Sequence, residues 1–292
     1  MKSSLLLFLS IFSLIAQADF NKGVYGEDNR LDFIELTNSQ HINWSLSTAA
    51  MISKFTAREE YDNPEVYRIR SKMLSQGGVC EYERFARQLT AADCSGFIIN
   101  EDTLVTAGHC IRHEQDCKDF YWIFDYRSGD GYQIGRTLKV SSSKVYSCKS
   151  IVKSVNNPKT GLDFAIIKLD RPVLDREPLK LRKKGHIQQG EKVLVAGYPS
   201  GLPLKVATDG TVRDENSSQP YFIATTDSFV GNSGSAVINE ETGLVEGILV
   251  RGDEDYVYRK EKGKRCLVPA VCAEDECDGE EITKISELLK YL

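Results

Sequence analysis

The chain has 292 residues, 41% of them hydrophobic and 27% charged, and 37 Lys and Arg against 42 Asp and Glu give a net charge of −5. That mild acidity argues against a nucleic-acid partner. No stretch is long and apolar enough for a membrane span, so no membrane anchor is expected.

Residues 1–18 read as a secretory signal: Lys2 supplies the positive start, Leu5 to Ile15 the apolar core, and Ala16-Gln17-Ala18 an A-x-A cleavage site. Its removal would take away Lys2 and no acid, moving the net charge from −5 to −6. Asp19 to Gly23 is a short leader. An exported chain with eight cysteines implies disulfides. TAAMISKF, Thr48 to Phe55, is an expected early strand. Thr56 to Gly78 reads as a long polar surface loop with one helical turn.

From Val79 to Leu169 short apolar runs alternate with turns, as in SGFIIN, TLVTAGHC, FYWIF, KVYSCKSIV and FAIIKL. Such spacing fits an all-β barrel. Cys94 and Cys110 flank two of these runs, and a hairpin would join them in a disulfide beside His109. Cys117 and Cys148 are expected to pair. Among Cys266, Cys272 and Cys277, two pair locally and Cys80 takes the third, a zinc site being the alternative for those three. Asp170 to Gly190 carries two prolines and six Lys or Arg, and reads as a crossover between two barrels. The strand pattern resumes from Glu191 to Val250. The final run from Ile282 to Leu292 has Ile282, Ile285, Leu288, Leu289 and Leu292 at helical spacing, predicting an amphipathic terminal helix.

The chain centres on Thr226 to Ala236, TDSFVGNSGSA. A serine between glycines at a tight turn is a candidate nucleophile, although alone this stretch is compatible with an ordinary turn. Gly231 lets the backbone turn so that its N–H and that of Ser233 point at one spot, the arrangement of an oxyanion hole. A serine hydroxyl needs a base, and the base an orienting partner. His109, at the end of LVTAGHC, is the candidate base among four histidines.

CSGFIINEDTLVTAGHC and GNSGSA together resemble the chymotrypsin-like serine peptidases, above all their secreted bacterial, glutamyl-endopeptidase-like branch. The resemblance runs from about Val24 to the C-terminus. It implies two perpendicular six-stranded antiparallel β-barrels, about 24–170 and 190–292, followed by the terminal helix. It implies a Cys94–Cys110 disulfide, and it makes Asp163, in GLDFAIIKL, the third member of a His109, Asp163, Ser233 triad. That chain order differs from the Ser, Asp, His order of α/β-hydrolases. The implied activity is hydrolysis of peptide bonds by a monomer with a protein or peptide substrate and no metal or cofactor. An inactive protease-fold binding module is the competing class.

The resemblance also extends to maturation and specificity. Val24 to Arg30 is similar to the start of mature bacterial members, so a second cut before Val24 is expected. Asp227 and Ser228 match the base of the pocket that takes Arg or Lys in trypsin-like members, the alternative for Asp227 being a structural residue that accepts hydrogen bonds from a neighbouring loop. Glutamate specificity is the alternative, although Leu249 stands where that branch has a histidine. Asn232 replaces the aspartate that pairs with a freed amine in many animal members. Val250 replaces a serine that hydrogen-bonds the catalytic aspartate, and Arg251 replaces a common tryptophan. Glu280, or Gly279 with an offset of one, falls near a pocket-wall glycine.

Overall fold

The structure, a computed structural model, describes residues 23–292 except 130–132, 135, 253, 262 and 274–276. The expected signal and nearly all of the leader lie outside the described residues. Six strands close the first barrel in the order Val145–Asn157, Leu162–Leu169, Thr103–Thr106, Cys94–Asn100, Thr48–Ser53 and Phe120–Ile123. The last pairs back onto the first through Val145 and Ile123. The second barrel runs Lys192–Gly197, Ala236–Asn239, Val245–Arg251, Glu280–Lys284, Tyr221–Thr225 and Lys205–Asp214, and closes where Val195 pairs with Ala207. Every pairing within the two barrels is antiparallel. Residues 170–191 carry the chain from one barrel to the other without a strand.

The barrels share one apolar interface. Phe97, Trp122, Phe164 and Ile166 are fully or almost fully buried, and their cluster continues into the second barrel through Leu194, Ile238 and Ile248. Burying each such side chain stabilises the fold by about 1.5–3 kcal/mol. A separate cluster of Val195, Val212, Phe222, Val237 and Ile282 belongs to the second barrel.

Three segments differ from the sequence reading. Residues 56–78 are not a loop: Ala57–Glu60 and Asn63–Arg70 form strands of a further sheet with Thr137–Ser141. Tyr67 and Ile69 are buried there while Arg70 is exposed and Arg68 partly so, a two-residue alternation hidden among charges. Residues 24–32, counted with the first barrel, pair elsewhere. Arg30–Asp32 lies antiparallel to Lys205–Asp214 of the second barrel, and Val24–Tyr25 runs parallel to Val271–Cys272. The terminal helix is a single turn, Ser286–Leu289. Ile282 and Thr283 sit instead in a strand hydrogen-bonded on both sides, which fits β-branched residues better than a helix does.

All eight cysteines are paired: Cys80–Cys266, Cys94–Cys110, Cys117–Cys148 and Cys272–Cys277. That removes the zinc alternative. Cys80–Cys266 joins residues 186 apart and ties the loop before the first barrel's His strand to the hairpin of Tyr256–Glu261 and Lys264–Pro269. On the chain-entropy relation, closing so long a loop is worth about 5 kcal/mol. The double substitution Cys80→Ser/Cys266→Ser should lower the unfolding free energy in urea by about 2–5 kcal/mol. A loss under about 1 kcal/mol would show that the reduced chain already holds this contact.

Candidate active site

His109 follows the strand Thr103–Thr106, and the Cys94–Cys110 disulfide fixes the next residue against the neighbouring strand. Its backbone N–H donates to Asp163 Oδ1 at 3.0 Å, and its Nδ1 lies 2.8 Å from Asp163 Oδ2. One carboxylate thus holds both the backbone and the ring of the same residue. Asp163 is 2% exposed on the strand Leu162–Leu169, and its carbonyl accepts from Thr283 Oγ1 at 2.9 Å across the barrel interface. With Nδ1 turned to Asp163, Nε2 is left for the other side of the ring.

Ser233 sits in the turn between Tyr221–Thr225 and Ala236–Asn239. Gly231 and Gly234 have φ of 97° and 92°, in the left-handed region that favours glycine. A Cβ would come within 2.5 Å of Tyr198 O at Gly231, and within 2.0 Å of Ser95 O at Gly234. The turn is clamped by Ser95 of the first barrel. Ser95 N donates to Ser233 O at 2.8 Å, and Ser95 Oγ donates to Gly231 O at 2.8 Å while accepting from Tyr198 N at 3.1 Å. Gly234 N donates to Leu249 O and Asn232 N to Phe229 O. Among the described residues, the N–H groups of Gly231 and Ser233 have no acceptor.

His109, Asp163 and Ser233 line one cavity of about 470 Å³, together with Ser228, Asp255 and Glu280. Asp227 is not among its lining residues. It is 3% exposed, and its two oxygens accept from Tyr25 N at 2.8 Å and Asn29 N at 2.5 Å. Burial pushes its carboxyl up to about 6, although both amides pull the other way. The N-terminal segment is therefore a strap across the back of the nucleophile turn. Gly23 O accepts from Ser228 N at 3.1 Å, and the buried Arg30 lays its guanidinium 4.0 Å from the Phe229 ring centre.

Asp255 and Glu280 are the carboxylates on the cavity wall. Asp255 Oδ2 accepts from Val230 N at 2.7 Å, and burial pushes its carboxyl up to about 6. Glu280 is 3% exposed, and a Cβ at Gly252 would lie 2.2 Å from its Oε2. Counting residues placed Glu280 near this wall. Nothing in the sequence marked Asp255, Ser95 or the contacts of Tyr25 and Asn29, because each depends on a pairing across the fold.

The chain has relatives among known proteins. A sequence model of the trypsin-like peptidase domain matches residues 94–248, more than half of the chain, and the chain belongs to that family. It is 24% identical over 213 residues to a probable serine protease of Lysobacter enzymogenes, a match covering 65% of this chain and 32% of that protein. The chain thus spans about a third of the length of that curated relative. Among solved structures, the VesB protease of Vibrio cholerae superposes with a TM-score of 0.52 at 15% identity, over 90% of this chain and 66% of that one. Human heparin binding protein gives a TM-score of 0.49 at 13% identity, over 88% and 92%. The fold shared with the VesB protease is the chymotrypsin-like one, and the family is that of the trypsin-like peptidase domain.

Asp227→Ala should leave the amides of Tyr25 and Asn29 unsatisfied, costing about 1–3 kcal/mol for each buried donor. Thermal melts at neutral pH would read this loss. Asp227 and Asp255 have native pKa values raised above those of the unfolded chain, so the native state holds more protons between about pH 4 and 6. Their contribution to stability is therefore greatest below that window and falls as pH rises through it. The difference in melting temperature between wild type and Asp227→Asn should change across the same window, and a constant difference would contradict the raised value.

Proposed function

We propose that this chain is a secreted serine endopeptidase acting through His109, Asp163 and Ser233. Ser233 Oγ attacks the peptide carbonyl while His109 Nε2 takes its proton, then gives it to the leaving amine as the C–N bond breaks. Water, activated by the same imidazole, then hydrolyses the acyl-enzyme and restores Ser233. Asp163 fixes the tautomer with the proton on Nδ1 and stabilises the imidazolium. The N–H groups of Gly231 and Ser233 receive the oxyanion. The observation that carries this reading is the 2.8 Å contact of His109 Nδ1 with Asp163, in the cavity that also holds Ser233 beside two amides without acceptors. An inactive binding module has no need of that convergence. Four disulfides and the A-x-A segment support an extracellular location.

We infer a preference for Arg or Lys before the cut, set by the carboxylates that line the cavity. The role expected of Asp227 passes to Glu280 and Asp255, since the oxygens of Asp227 are taken up by the strap's amides. A substrate Arg or Lys brings a cation to these carboxylates, and Arg presents a fork that matches a carboxylate. The same two acids would repel a glutamate, which argues against the glutamyl-specific branch, as does the apolar Leu249 on the wall.

Ser233→Ala should lower kcat by about 10⁴-fold or more with an unchanged melt, and adding His109→Ala should make it little worse. Multiplicative losses would show that the two residues do not act as a unit. With peptides differing only at the residue before the cut, Arg should exceed Leu and Glu by about 100-fold in kcat/KM. Glu280→Gln should remove most of that preference and Asp227→Asn should keep it. Equal rates for the three peptides would end the basic-pocket reading.

A further inference from the structure

The family's serine contact to the catalytic aspartate is absent here, because that position is Val250. The neighbouring backbone shows what takes its place. Along Val245–Arg251, Leu249 pairs with Ile282 but Arg251 pairs with Glu281, so two steps on one strand oppose one step on the other. Val250 is the extra residue of a β-bulge. Bulges bend the strand and re-aim the side chains beside them. Here the re-aimed residue is Arg251, and it reaches the triad carboxylate.

The guanidinium of Arg251 touches three groups from both barrels. Nη1 lies 3.8 Å from Asp163 Oδ2, the oxygen that His109 Nδ1 contacts. Nη2 donates to Gly161 O at 2.5 Å, at the turn two residues before Asp163. Nε donates to Glu281 Oε2 at 2.9 Å. A planar fork of N–H donors makes two hydrogen bonds, to Gly161 O and Glu281, while its third nitrogen stays within ion-pair distance of Asp163. Arg251 itself is one-third exposed at the cavity wall, while Asp163 is 2% exposed.

We propose that Arg251 is a positioning residue of the triad, holding Asp163 from the second barrel in place of the missing hydroxyl at Val250. This rests on the triad reading above. Two consequences follow from the charge. The permanent cation lies beside the carboxylate oxygen that His109 Nδ1 contacts and attracts it from the second barrel. It also disfavours a second cation forming against the same oxygen, and so opposes the imidazolium. The other charged groups around the pair are Arg112, whose Nε donates to His109 O at 2.9 Å, Glu281 behind Arg251, and Asp255 and Glu280 on the cavity wall.

The test is the pH dependence of labelling by a small fluorophosphonate that carries no peptide, so that contacts along the substrate cleft do not enter. Wild type should label at Ser233, with a rate that falls along an acid limb. Arg251→Gln should label about tenfold more slowly and move the acid limb up by about one pH unit. Arg251→Lys keeps the charge but not the fork, so it should hold the limb within about 0.3 unit and recover only part of the rate. Glu281→Gln should move the limb down, because it removes the anion that partly offsets Arg251. An Arg251→Gln protein with the wild-type limb and rate overturns the proposal. So does an Arg251→Lys protein at the full wild-type rate, which keeps the test decisive if the glutamine variant fails to fold. No labelling of wild type overturns the triad reading itself and this proposal with it; labelling of wild type with no effect at Arg251 overturns this proposal alone.

Discussion

Ser95 is the contact on which the site depends. It follows the disulfide-bonded Cys94 on a central strand of the first barrel, and Thr106 Oγ1 holds its carbonyl at 2.7 Å on the strand that leads to His109. Through its own N–H and hydroxyl it grips Ser233 O and Gly231 O in the second barrel. The base and the nucleophile come from different barrels, and this buried serine sets their relative position. Its hydrogen bonds lie in a region closed to water, where an unmade bond costs more than a made one yields. The two barrels are therefore locked in one register wherever the nucleophile turn is formed.

The same turn is gripped from behind by residues far away in sequence. Asp227 stands six positions before Ser233, and its carboxylate gathers the amides of Tyr25 and Asn29. Gly23 returns a carbonyl to Ser228 N. The strap thus reaches the turn through backbone groups. This explains how Asn232 can stand where an aspartate would pair with a free amine: Asn232 is 2% exposed, and the task of bracing the turn falls to Asp227 instead. A cut before Val24 would separate Gly23 from the segment it anchors and remove the carbonyl that Ser228 uses.

Charge of both signs is distributed around the cavity. Asp255, Glu280 and Arg251 all line the cavity, and Arg251 reaches from its wall to Gly161, Asp163 and Glu281. The bulge at Val250 sets which carboxylates Arg251 meets. Without the bulge, residues 250 and 251 would exchange faces, and the cation would leave the triad.

The sequence by itself determined the fold class, the pairing of Cys94 with Cys110 and of Cys117 with Cys148, and the triad residues as candidates. Most of these were legible because they are written locally: strand runs separated by turns, a histidine between a glycine and a cysteine, a serine flanked by glycines suited to left-handed backbone; Asp163 entered only through the family resemblance. It misread residues 56–78, where only Tyr67 and Ile69 carry the alternation among charged neighbours, and it lengthened the terminal helix, since Ile282 and Ile285 fit a helical period as well as a strand followed by a turn. Tertiary structure alone decided which carboxylates face the cavity, what holds Asp227, and where Arg251 points. Those answers depend on strand register and on one extra residue in one strand, and a one-residue slip in register reverses which side of a sheet a side chain occupies.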